Sequence, residues 1–222
     1  MTPEQLVASC AVLVTGLLCA VVTVPLLRLL PEPAEPDGKR RYRDLATPRF
    51  VLACSLCAAV AAAVSWATLP AALQPAWTVL AVGGVLLAAV DAVTTWLPLT
   101  LTRMTWVAMA VATLIGASLA GSWSMLLRAA GGAALAGAVY LLLWLLSRGG
   151  LGFGDVRYAP LLGASAAAQS WQLLVWALLA GSLLGAAVGL ARLVARRPGG
   201  FPYAPTMLGG TYLAALLVAL QG

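Results

Sequence analysis

Two acidic residues, Asp91 and Asp155, lie in apolar stretches of the chain. The other five, Glu4, Glu32, Glu35, Asp37 and Asp44, fall in the N-terminal tail or in one hydrophilic stretch. A carboxylate at membrane depth costs about 3 kcal/mol on insertion scales, so its presence marks a functional site. Two carboxylates that share one proton divide the labour of hydrolysis: the ionised member activates water and the protonated member donates to a scissile carbonyl. The chemistry expected of this pair is aspartyl hydrolysis at a membrane surface, with Asp91 and Asp155 as catalytic residues. Gly152 and Gly154 frame Asp155 in the run Gly152-Phe153-Gly154-Asp155-Val156-Arg157. They are expected to permit left-handed backbone and to let a substrate backbone approach closely. The structural alternative has one aspartate capping a helix and the other paired with Arg157 or Arg103.

What the chain lacks narrows the chemistry further. It has no histidine, and Lys39 is its only lysine. Histidine-based triads, histidine-ligated zinc hydrolases and Cys–His dyads are therefore excluded. A Ser–Lys dyad would require Lys39, which sits in a loop of mixed charge. Cys10, Cys19, Cys54 and Cys57 all fall inside apolar runs, and Cys54-x-x-Cys57 has no second Cys pair to complete a zinc site. Neither a metal, a cofactor nor a disulfide is expected.

The elements that must position the aspartates are membrane helices. Of the 222 residues 62% are hydrophobic and only 9% charged, against roughly 25% charged in soluble domains, and the mean hydropathy is +0.97. The expected fold is an all-α polytopic membrane helix bundle forming a single domain over residues 1–222. The net charge of +6 sits at segment ends, where it sets topology and meets anionic lipid; it does not indicate nucleic-acid binding. Apolar runs at Leu6–Leu30, Phe50–Leu69, Ala76–Leu97, Leu99–Ala120, Trp123–Leu146, Arg157–Ala168, Ser170–Val194 and Pro202–Leu220 are the candidate spans, with a Pro70/Pro75 break after the second. Arg157–Ala168 is short. If it crosses, every basic residue except Arg128 faces the cytoplasm, whereas seven spans would put Arg192, Arg196 and Arg197 outside. The positive-inside rule thus favours about eight spans, both termini outside, and a short cytoplasmic loop over 31–49. Asp91 then lies about 22 Å along its helix from the outer end, a turn or two from the cytoplasmic surface, with Pro98 breaking the helix beyond it. Asp155 falls in the cytoplasmic connection opening the sixth span. The two carboxylates converge at one depth.

The run Gly152–Arg157, with the upstream run Asp91-Ala92-Val93-Thr94-Thr95-Trp96-Leu97-Pro98 and the later Phe201-Pro202-Tyr203-Ala204-Pro205, resembles the type IV prepilin peptidases, a branch of the GxGD membrane aspartyl proteases. Leu99 stands where that family usually has Asn, Arg157 where it has Lys, and Ala204 where it has Gly. The resemblance implies an aspartic endopeptidase of the inner (plasma) membrane. Such an enzyme cleaves the basic leader of prepilin-like proteins at the cytoplasmic face, with substrate contacts at Gly152, Gly154, Arg157, Pro98, Pro202 and Pro205. Bifunctional members carry a longer first loop with paired CxxC motifs that bind zinc and accompany N-methylation of the product. Pro31–Arg49 is short and has no cysteine, so neither is expected here. The competing reading of a different class is a small transporter using the same aspartates for proton or cation coupling. No inverted repeat and no mid-bilayer charge support it.

Overall fold

In a bilayer core an apolar run can satisfy its own backbone only as a helix, and the computed structural model of the chain is helical throughout its regular elements. It describes residues 2–32, 40–148, 150–196 and 201–221; Glu35, Asp37, Lys39 and Arg197, counted above among the charges, lie outside them. The helices are α1 (Pro3–Leu29), α2 (Pro48–Thr68), α3 (Gln74–Val79), α4 (Val85–Thr94), α5 (Leu99–Leu119), α6 (Trp123–Leu146), α7 (Phe153–Gln169), α8 (Trp171–Val194) and α9 (Ala204–Ala219). A π-helical turn over Leu80–Gly84 joins α3 to α4 into one continuous rod, and a 3₁₀ turn over Tyr42–Leu45 precedes α2.

Helix starts follow short polar residues placed where the first backbone N–H groups need acceptors. Thr2 and Gln5 form a reciprocal capping box on α1. Thr47 Oγ1 accepts the Phe50 N–H, and Ser170 Oγ accepts that of Leu173. The Pro70/Pro75 stretch is a tight turn and not a gap. Buried Gln74 donates to the carbonyls of Ser65 and Leu69 and accepts from Ser65 Oγ, which fastens the end of α2 to the start of α3.

Six stretches are long and apolar enough to cross a membrane among the described residues; α7 at 17 residues and α9 at 16 are shorter. At 1.5 Å per residue, α7 is about 25 Å long. It is also the most enclosed helix: between Tyr158 and Ala168 nearly every residue is buried, because α5, α6, α8, α9 and the π turn pack around it. Small residues allow this. Gly132 on α6 and Gly163 on α7 bring the two backbones so close that a methyl group on either would overlap the other helix, and a methyl group on Gly210 of α9 would overlap the Gly181 backbone of α8. Arg128, the one basic residue on the wrong side of the charge count, has a local use. Its guanidinium donates to the Ala168 carbonyl near the end of α7, neutralising the negative pole of that helix.

The surface reverses the pattern of a soluble protein. Leu13, Leu17, Val21, Leu127, Leu183 and Leu193 are among many large apolar side chains that are well exposed. Patches of this extent are stable only against another apolar phase. The chain is a multi-pass helical membrane protein.

Candidate active site

The site begins where α4 stops. Thr94 Oγ1 donates to the Val90 carbonyl and accepts the Trp96 N–H, so its side chain replaces the next helical bond. Thr95 turns left-handed at φ 57° and donates its N–H to the Asp91 carbonyl at 2.7 Å. A β-branched residue held there costs on the order of 1–3 kcal/mol, strain of the kind found at functional sites. The helix therefore ends at Thr94, before the proline that was expected to break it. Pro98 instead opens α5, accepting the Thr102 N–H and hydroxyl at its carbonyl. Asp91 is left one turn from the end of α4, 5% exposed.

Asp155 reaches the same place from α7. Its location differs from the expected connecting loop: α7 starts at Phe153, with Gly152 as N-cap and the Asp155 N–H on the Gly152 carbonyl. A carboxylate in the first turn is favoured by the positive pole of the helix, which is why the helix extends back over the motif. Asp155 is 6% exposed. The reason for the glycines also differs from expectation. Gly152 sits at φ −71°, and Gly121 is the only glycine in left-handed backbone among the described residues. Space is what they provide. A methyl group on Gly154 would stand 3.0 Å from Leu97 Cβ, and one on Gly152 would stand 3.3 Å from Asp155 Oδ2. Gly154 thus lets the start of α7 close on the segment that follows Asp91.

Both aspartates line one cavity of about 570 Å³ and lie near enough to interact electrostatically. Gly152, Gly154, Arg157 and Pro98 share its wall with them. The Arg157 guanidinium lies over the Phe153 ring, 4.7 Å from its centroid, and its carbonyl accepts the Trp106 indole N–H. Pro202 and Pro205 do not line this cavity; Pro205 faces a separate apolar groove between α2, α4 and α9. The Phe201–Pro205 run reaches the site by other means. Phe201 is part of the wall, and the Ala204 backbone N–H donates to Asp91 Oδ2 at 3.1 Å. Pro205, one place later, has no N–H to compete, and proline at the start of a helix holds the turn in place.

Several wall residues carried no signal in the sequence beyond polarity. Glu32, a residue of the 31–49 loop, accepts the backbone N–H groups of Tyr42 and Arg43 at 3.0 and 3.1 Å, and Glu32 and Tyr42 both line the cavity. Tyr42, buried there, has its phenol pushed up to about 12 by burial, with the nearby Glu32 carboxylate adding to the effect. It stays protonated and neutral at ordinary pH. Among the described residues no three His, Cys, Asp or Glu side chains are arranged to hold a metal.

A pair of buried carboxylates from separate helices, on the wall of one cavity, has the parts for water activation and proton donation. Comparison with known proteins agrees in class. Residues 78–190 match the model of the type IV leader peptidase family, a segment containing both aspartates and the Gly152–Arg157 run. No curated protein and no solved structure matches the chain.

Proposed function

Since the chain belongs to the type IV leader peptidase family, matched over just over half of its length, we propose that it is an aspartic endopeptidase. In this reading it removes the basic leader of prepilin-like proteins at the cytoplasmic face of the inner membrane. The observation that carries the reading is the meeting of Asp91 and Asp155, from separate helices, on one cavity wall. One carboxylate takes a proton from water as its oxygen attacks the scissile carbonyl. The other donates a proton to that carbonyl oxygen, giving a tetrahedral diol. As the C–N bond breaks, the first carboxyl passes its proton to the leaving amine and the second takes back the proton of the diol hydroxyl that becomes the new carbonyl. Water is consumed, and the pair returns to its singly protonated state.

Gly152, Gly154, Arg157 and Pro98 contact the substrate from the cavity wall, and Gly154 also lets α7 close on Leu97. Pro202 and Pro205 act indirectly, by holding the turn that points the Ala204 N–H at Asp91. The topology that suits this reading counts α7 and α9 as crossings. That gives eight spans, external termini and a cytoplasmic 31–49 loop. The hydrophobic helix that follows the cleavage site stays in the bilayer while the leader lies in the cytoplasm.

The family match favours this chemistry over ion-coupled transport by the same aspartates. The test is direct: purified protein in detergent is incubated with a prepilin-like substrate and the product is read by mass spectrometry. The expected product begins immediately before the hydrophobic run. Folded protein that leaves the substrate intact contradicts the proposal.

A further inference from the structure

α7 packs more closely on the π turn than on α4, the helix that bears Asp91. At the π turn there is one directional contact. The Tyr158 hydroxyl donates to the Gly84 carbonyl at 2.9 Å, and Tyr158 is completely buried. Tyr158 lies three residues after Asp155 and so on the same face of α7; Gly84 lies seven residues before Asp91 and so on its face of the α3–α4 rod. The bond therefore joins the two carboxylate-bearing helices about one turn below Asp155 and two turns below Asp91. The phenol is also near enough to both carboxylates to interact with their charges.

The site around this bond is shaped for it. A methyl group on Gly84 would stand 2.8 Å from Leu80 Cδ1 and 3.3 Å from the Tyr158 oxygen, so glycine leaves the carbonyl open to the phenol. The turn itself is π-helical, a local widening found often at functional sites. On the neighbouring side, Gly83 gives space to Thr105 of α5, whose side chain a methyl group there would strike. The turn is thus held between α5 and α7.

We propose that Tyr158 is a positioning residue: through its bond to Gly84 it sets the separation of Asp155 and Asp91. It does not touch substrate. Its effect on turnover rests on the peptidase reading above, but its effect on the carboxylate spacing does not, and the two are measured separately. Tyr158→Phe keeps the ring and removes only the hydroxyl. With a prepilin-like substrate the variant is expected to lose about tenfold in kcat with KM within about twofold, since a displacement of an ångström costs on the order of a hundredfold. Independently of cleavage, Asp91→Cys and Asp155→Cys are combined after Cys10, Cys19, Cys54 and Cys57 are replaced by alanine. The pair is then joined by a short bis-methanethiosulfonate reagent. Adding Tyr158→Phe is expected to slow that crosslinking severalfold. An unchanged crosslinking rate overturns the proposal. So does a Tyr158→Phe variant that melts earlier but retains the kcat of the unaltered chain per folded molecule.

Discussion

Gly154→Ala isolates the close approach on which the site depends. The added Cβ would stand 3.0 Å from Leu97 Cβ and 3.1 Å from Leu97 Cδ1, whereas carbon atoms in contact prefer about 3.5–4.0 Å. A few tenths of an ångström, up to about half, must be found. Leu97 lies on the segment between Asp91 and α5, and Gly154 adjoins Asp155, so the relief moves one carboxylate away from the other. Taking about a hundredfold per ångström of misplacement, a half-ångström shift lowers turnover about tenfold. Overpacking costs about 1–3 kcal/mol, and exchanging glycine for alanine in a helix returns up to about 1 kcal/mol. Gly189→Ala is the control, because nothing lies within 4 Å of the position its methyl group would occupy. The assay is initial-rate leader cleavage by purified variants, with thermal melting of each in the same detergent. Unaltered turnover in folded Gly154→Ala refutes the reasoning, as does an equal loss in Gly189→Ala.

Arg128→Ala should lower the melting temperature through loss of its two hydrogen bonds to the Ala168 carbonyl. The expected cost is about 1 kcal/mol, discounted because the side chain is partly exposed; a melt indistinguishable from that of the unaltered chain contradicts the capping role. Cysteines introduced at Ser147 and at Gln221, in a background without the four native ones, should label from opposite sides of the membrane in intact cells. Labelling of Gln221→Cys only after permeabilisation contradicts external termini. The cleaved product should carry an unmethylated N-terminus when the purified protein is supplied with S-adenosylmethionine, and a methylated one, seen by mass spectrometry, contradicts the reading of the cysteine-free first loop.

The aspartates were legible because charge is scarce in an apolar chain: a bilayer tolerates so few carboxylates that two suffice to mark a site. Their convergence was legible too, since helix rise and the positive-inside rule put both near one surface before any contact was known. The backbone between them was not. Gly152 and Gly154 read as loop, yet Gly154 is helical, and both serve proximity and not torsional freedom; composition alone does not separate those two uses of glycine. The prolines of the Phe201–Pro205 run drew notice, while the group that reaches Asp91 is the backbone N–H of Ala204, which every non-proline residue possesses. The π turn at Leu80–Gly84 left no trace in the hydrophobic pattern, because one extra residue in a fully apolar helix alters no polar position. Arg128 was visible as an exception to the charge rule, and that exception is explained by a helix end which sequence could not bring beside it.

The central claim is that Asp91 and Asp155 act together on a peptide bond. The most direct measurement is leader cleavage by Asp91→Asn and by Asp155→Asn, each purified and shown to melt as the unaltered chain does. Each substitution keeps the size of the side chain and removes its ability to exchange a proton, and a general acid or base contributes about 10²–10⁴ in rate. The account predicts that either variant alone loses at least about a hundredfold in turnover. Cleavage within about tenfold of the unaltered rate by either variant would contradict it.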